Sequence, residues 1–246
     1  MRLYDEIIHD ILTSLEKQDK HILPVGAAAD PVSRDWQDAG KAMMILQSDM
    51  AYELGGHNLP AVGNTLVTTG KDFVPEDEII LIGKDLPEIT EDTPYARIAL
   101  VRVAEDSIGK GDRLYNTIRN IGYFRYHIYP KGFMLRVSSS NDRESVRVEA
   151  EALNEGLNFT AIGNAMLRAL HLHKEVEAVK IIFVTDPKVD YGRLQDVLKK
   201  NKQITATIDH MLKDVNMDCG SCGLQEICDE IEGLREMHFG MSEEHT

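Results

Sequence analysis

The chain has 246 residues with a net charge of −14, and 43% of them are hydrophobic. This acidic balance argues against a nucleic-acid-binding protein, because phosphate backbones are bound by clustered cations. No apolar stretch approaches the ~20 residues that cross a bilayer, and the N-terminus lacks the pattern of a secretory signal. The sequence therefore predicts a cytoplasmic globular protein that binds neither nucleic acid nor membrane.

Residues 1–50 are predicted to form an N-terminal helical and irregular segment. Apolar residues recur at helical spacing from residue 3 to residue 17, which predicts an amphipathic helix. Residues 24–40 are rich in Ala, Gly and Pro and show no sustained period, which predicts an irregular connection. A second periodic stretch, residues 42–54, ends at Gly55 and Gly56, and its pattern does not decide between helix and strand.

Residues 51–200 are predicted to form one α+β domain, and residues 201–246 a small helical segment that carries the cysteines. Short stretches rich in Val, Ile and Leu predict strands, and helical periods predict helices. Because the two types do not alternate strictly, a mixed sheet with packed helices is favoured over a doubly wound fold. The predicted strands are 65–69, 78–83, 97–104, 133–138, 145–149 and 180–185, and the predicted helices are 112–123, 159–172 with Thr160 as N-cap, 190–200 and 204–215.

All three cysteines, Cys219, Cys222 and Cys228, lie within ten positions, and a glycine directly follows each of the first two. In a reducing compartment this grouping favours a metal site over disulfides or inert thiols. Structural zinc usually takes four protein ligands, whereas thiolates at such spacings hold iron–sulfur clusters, so a cluster is favoured and zinc is the alternative. The sequence does not decide the fourth ligand. The candidates are Asp218, Asp229, His238, a partner's cysteine, and a substrate or solvent species.

Basic and aromatic residues are interleaved in the middle of the chain. Guanidinium groups suit phosphate and aromatic faces suit an adenine ring, which would indicate an anionic nucleotide-like ligand. The sequence alone favours a different interpretation of these residues, in which the aromatic side chains form a core edge and the cations pair with surface carboxylates. A loop residue, His57, is a further candidate for function. The interleaved set is Arg113, Tyr115, Arg119, Tyr123, Phe124, Arg125, Tyr126, Tyr129, Lys131 and Arg136.

Five stretches, residues 51–56, 78–85, 134–138, 159–167 and 179–186, resemble in order the middle region of the β subunit of the carbon monoxide dehydrogenase/acetyl-CoA synthase complex. In that family the middle domain precedes the cysteines of the metal cluster. The resemblance implies that Cys219, Cys222 and Cys228 hold a cubane, [4Fe–4S], and that the middle domain contributes arginines to coenzyme A binding. Arg136 lies in a matching stretch and is the candidate contact.

The sequence also departs from the family. The family has a fourth cluster cysteine and a later Cys-Gly-Cys that holds a distal nickel, and neither is present here. The resemblance therefore implies an accessory protein of anaerobic one-carbon metabolism that handles metal, transfers electrons, or partners carbon monoxide dehydrogenase or corrinoid subunits. The sequence also leaves open whether the protein forms a homo-oligomer. Weak or no binding of coenzyme A by the isolated chain is expected. The competing hypothesis is a non-catalytic, zinc-stabilised structural or protein-interaction module.

Overall fold

The computed structural model describes residues 4–105, 112–138 and 143–213, with only the backbone described at 112–114 and 209–213. The strands are β1 His21–Leu23, β2 Met50–Leu54, β3 Ala61–Thr68, β4 Glu78–Ile82, β5 Tyr95–Val103, β6 Phe133–Val137, β7 Glu144–Glu149 and β8 Val176–Val184. The helices are α1 Asp5–Ser14, α2 Pro31–Arg34, α3 Asp112–Gly122, α4 Ala150–Asn154, α5 Phe159–Leu170 and α6 Tyr191–Lys213. Within the described ranges, no helix has both the length and the apolar character to cross a membrane.

The larger sheet has five strands in the order β1-β4-β8-β5-β3. Two neighbouring pairs, β3 with β5 and β4 with β8, are parallel, while β5 runs antiparallel to β8. Every residue of β5 is buried, as expected for a central strand covered on both faces. This mixed sheet with packed helices confirms the predicted α+β class. The central β8 ends at Val184, three positions before Pro187, whose missing N–H could not join the ladder.

The smaller sheet is antiparallel, in the order β2-β7-β6. Side chains alternate between its two faces along each strand. One face is apolar and buried in the core, and it includes Tyr52, Leu54, Phe133, Val146 and Val148. Residues of the opposite parity include Glu53, Arg136 and Arg147, which gives the other side of the same sheet a charged face.

A buried ion pair joins the two sheets. Arg97 of β5 donates from Nε and Nη2 to the two carboxylate oxygens of Glu144 in β7, at 2.6 and 2.7 Å. Both side chains are 0% exposed, and the guanidinium also lies over the ring of Phe124, 5.1 Å from its centre. Two parallel hydrogen bonds between ions are stronger and more directional than neutral ones, so this pair sets how the sheets meet.

Helical periodicity located α1, α3, α5 and α6, but the short helices α2 and α4 were not predicted and several helix ends differ from the prediction. The predicted helices 190–200 and 204–215 are one continuous helix as far as the description extends, because no Gly or Pro separates them and the buried stripe continues through Ile204 and Ile208. The predicted N-cap Thr160 is wrong: Asn158 caps α5, and its Oδ1 accepts from the backbone N of Ala161 at 2.8 Å. Of the undecided stretch 42–54, only Met50–Leu54 is a strand.

Candidate functional site

The polar face of the smaller sheet carries a pocket of about 390 Å³, here called the arginine pocket. Cross-strand pairing explains its composition, since Glu53 lies opposite Arg147 and Arg136 lies opposite Ser145. Paired residues in antiparallel strands share a face. The lining residues are Gln47, Met50, Glu53, Gly55, Gly56, His57, Arg136, Arg143, Ser145 and Arg147.

Glu53 is the anionic centre of this pocket. Its side chain is 6% exposed, and its Oε1 accepts from Nη1 of Arg136 at 3.0 Å and from Nε of Arg147 at 2.7 Å. Arg147 also donates from Nη1 to the carbonyl of Ile45 at 3.0 Å. A desolvated carboxylate needs such compensation, so Glu53 holds two guanidiniums in place and neutralises part of their charge.

The two arginines differ in what they present to solvent. The side chain of Arg147 is 26% exposed, whereas that of Arg136 is 47% exposed. A guanidinium has five N–H donors, and Arg136 directs one of them to Glu53. Arg136 is therefore the better placed of the two to meet an anion arriving from solvent.

A strained loop forms the rim of the pocket. Among the described non-glycine residues, His57 alone has a positive φ, 49°. Nη2 of Arg143 donates to the carbonyl oxygens of Gly55 and His57, at 2.6 Å each, and Nδ1 of His57 lies 3.5 Å from Asp92. Left-handed backbone at a residue with a side chain persists only where neighbours hold it. The Arg143 clamp supplies that restraint and leaves the imidazole on the rim, 78% exposed.

A family model described as the CO dehydrogenase/acetyl-CoA synthase complex beta subunit matches residues 37–189. The chain belongs to this family. The matched range includes β2 to β8, all five resembling stretches and every residue that lines the arginine pocket. The predicted family resemblance is thus confirmed. A search of curated proteins finds no match.

Cys219, Cys222 and Cys228, and the candidate ligand His238, lie outside the described residues. Within the part of the chain that is described, no group of three or more His, Cys, Asp and Glu side chains could hold a metal ion. The predicted metal ligands therefore stay a prediction from the sequence.

The interleaved basic and aromatic set is divided by the fold. Arg136 lies in the arginine pocket, while Arg119 and Arg125 line a separate cleft with three of the tyrosines. Lys131 pairs with Glu155 at 2.6 Å on the surface, as the favoured interpretation expects. The buried ring in the set, Phe124, packs under Arg97. The side chain of Arg113 is outside the description.

Sequence reasoning missed Glu53, Arg143 and Arg147 as parts of a site. A usable signal was present, since Ser145 and Arg147 alternate with valines in the predicted strand 145–149, and Arg143 precedes them at the same spacing. Such alternation predicts a polar face. It does not identify the strand that pairs with it, and so the carboxylate partner Glu53 could not be assigned.

Proposed function

We propose that this chain is an accessory iron–sulfur protein of CO dehydrogenase/acetyl-CoA synthase chemistry. The observation that carries the proposal is the order of features along the chain. The family match extends to residue 189, and all three cysteines follow between residues 219 and 228. That is the order of middle domain and cluster ligands that the resemblance implies. The proposed setting is the cytoplasm of an anaerobe, in one-carbon metabolism.

Cys219, Cys222 and Cys228 are the proposed cluster ligands. Their donor set fits a [4Fe–4S] cluster, because three thiolates at close spacing can hold three of its irons. Zinc in a structural site would need a fourth protein ligand. When bound, the cluster would supply electron transfer or a site for handling a second metal.

The accessory role follows from the ligand count of the sequence given. Joining a methyl group, carbon monoxide and a thiol needs a metal pair, and the resemblance assigns the second metal to a Cys-Gly-Cys sequence. The 246 residues contain no such sequence. Carbon monoxide dehydrogenase or corrinoid subunits are the proposed partners that supply the remaining chemistry.

Anaerobic purification of the chain is expected to yield a brown protein that contains iron and sulfide and absorbs broadly into the visible range. In Cys222→Ser we expect loss of the colour and of most of the iron, because one of three thiolate ligands is removed. Absorption spectra and metal analysis measure both. Ser221→Ala is the matched control in the same segment and should keep the cluster.

Other results would contradict the cluster. A colourless protein with stoichiometric zinc, prepared without oxygen, would support the zinc-stabilised module in its place. A protein that binds neither iron nor zinc would overturn both hypotheses. Iron that is retained equally in Cys219→Ser, Cys222→Ser and Cys228→Ser would show that these thiols are not its ligands.

Arg136 is the proposed coenzyme A contact, and binding by the isolated chain is expected to be weak or absent. The physical reason is Glu53, whose carboxylate neutralises part of the charge that an anionic ligand would meet. Calorimetry at low ionic strength is the measurement, because salt screens a weak charge-driven interaction. A saturable micromolar isotherm that is lost in Arg136→Ala, and kept in the exposed control Arg168→Ala, would show that the pocket binds coenzyme A without a partner.

A further inference from the structure

A second cleft, here called the tyrosine cleft, lies where α3 and the 3-10 turn Tyr123–Tyr126 meet β3 and α6. Its volume is about 280 Å³, and none of the described residues that line it also lines the arginine pocket. Asn201, Lys202 and Thr205 of α6 line it, and these residues lie beyond the range matched by the family. The other nine described lining residues lie within that range, and Arg136, the ligand contact of the proposed function, is not among them.

Arg119 is held in the cleft by two tyrosines. Its Nε donates to the Tyr123 hydroxyl at 3.0 Å and its Nη1 to the Tyr115 hydroxyl at 3.5 Å. The guanidinium carbon lies 5.1 and 5.8 Å from the centres of those two rings. Cation–π contacts of this kind orient a guanidinium without neutralising its charge. Arg119 has no carboxylate within ion-pair distance among the described residues, so its charge is available to a ligand.

Arg125 repeats this arrangement. Its Nη1 donates to the carbonyl of Gly63 at 3.2 Å, its Nη2 donates to the Tyr126 hydroxyl at 3.3 Å, and the guanidinium lies 5.1 Å from the Tyr126 ring centre. Its Nε is buried and has no hydrogen-bond partner in the described part of the chain. A buried donor without an acceptor is uncommon in native proteins. Two oriented guanidiniums therefore line the cleft with donors still available.

The lining of the cleft has a charge opposite to that of the protein. Among the described residues that line it, three are cationic, Arg119, Arg125 and Lys202, and none is acidic, although the chain as a whole carries a net charge of −14. Cations collected in a concave site attract anions and concentrate them there. The planar N–H fork of a guanidinium matches the oxygens of a phosphoryl group.

We propose that the tyrosine cleft binds the phosphoryl group of a small phosphorylated metabolite. The volume of about 280 Å³ is at the lower end of small-molecule pockets, which favours a small ligand over a polymer. Tyr123 and Tyr126, 40% and 36% exposed, lie at the cleft and offer ring faces to a nucleobase. A nucleotide and a free phosphate compound share the phosphoryl chemistry and are separated by the choice of probe.

Calorimetry of the full chain at low ionic strength with ADP, pyrophosphate and adenosine tests the proposal. ADP and pyrophosphate are expected to bind and adenosine is not, because the cationic lining recognises the phosphoryl oxygens. Arg119→Gln is expected to weaken binding about tenfold or more, the usual effect of losing a charge-assisted hydrogen bond. Arg119 is exposed, so this variant should fold normally.

Two controls make the result specific. Arg193→Gln removes the same charge from an exposed residue of α6 outside the cleft lining and should leave the affinities unchanged. Arg168→Gln should also leave them unchanged, since Arg168 is an exposed residue of α5 that lines neither pocket. Tighter binding of ADP than of pyrophosphate identifies a nucleotide, and equal binding identifies a free phosphate compound. Three results would overturn the proposal. They are no binding of ADP or pyrophosphate at millimolar concentration, an affinity that Arg193→Gln lowers as much as Arg119→Gln does, and adenosine that binds as tightly as ADP.

Discussion

Glu144→Leu is expected to lower the free energy of unfolding by about 3–5 kcal/mol, the usual cost of removing one partner from a buried ion pair. The carboxylate is 0% exposed and accepts two hydrogen bonds from Arg97. Without it, the Arg97 guanidinium stays buried, and its charge has no counter-ion among the described residues. The pair also joins β5 to β7, so its loss weakens the contact between the two sheets.

Arg97 cannot avoid this cost by losing its proton. Burial lowers the pKa of its guanidinium, but the charge of Glu144 and the hydrogen bonds to it outweigh burial, and the pKa is raised. An arginine keeps its charge in proteins even when the surroundings disfavour it. The variant therefore contains a buried cation at every pH at which the protein folds.

Urea unfolding followed by circular dichroism measures the effect. The double variant Arg97→Met with Glu144→Leu is expected to be more stable than Glu144→Leu alone, since an apolar pair leaves no buried charge. Glu155→Leu is the matched control, because its partner Lys131 lies on the surface and such pairs contribute little. If Glu144→Leu lowers the free energy of unfolding by no more than Glu155→Leu does, the result would contradict the assignment of Arg97–Glu144 as the ion pair that holds the sheets together.

Gly163→Val is expected to lower the free energy of unfolding by about 1–3 kcal/mol through overpacking. Gly163 lies in the middle of α5, where glycine is intrinsically unfavourable for a helix. A Cβ at this position would lie 2.7 to 3.0 Å from side-chain atoms of Ile79 in β4. Ile79 is fully buried, so it has no room to move away. The glycine therefore sets the close approach of α5 to the larger sheet.

The measurement is thermal and urea unfolding of matched glycine variants. Gly122→Val is the control, because Gly122 is also helical and a Cβ there meets nothing within 4 Å among the described atoms. The free energy of unfolding of Gly122→Val is expected to change by no more than about 0.5 kcal/mol, as for other substitutions that create no close contact. If Gly122→Val and Gly163→Val lower the free energy of unfolding equally, the close contact with Ile79 has no energetic consequence.

The sequence alone determined most of the longer strands and helices and the family, because these depend on local order along the chain. The strand at 180–185 was predictable from a short β-branched and aromatic stretch that ends at Asp186 and Pro187. The helix that became α5 was predictable from its period, although not its cap: Asn158 and Thr160 are both good caps, and only the backbone geometry distinguishes them. The five resembling stretches placed the chain in its family before any fold was known.

Tertiary structure decided which residues share a site. Arg119 and Arg136 belong to one interleaved stretch of sequence, yet the first lies in the tyrosine cleft and the second in the arginine pocket. The reason is pairing over long sequence distances. Strand β7 pairs with β6 on one side and with β2 on the other, which brings Arg136 to Glu53, a residue 83 positions earlier in the chain. The periodicity of a sequence predicts on which face of its own helix or strand a side chain lies. Its partner on a neighbouring strand depends on the register of the sheet, and the packing of the whole core determines that register.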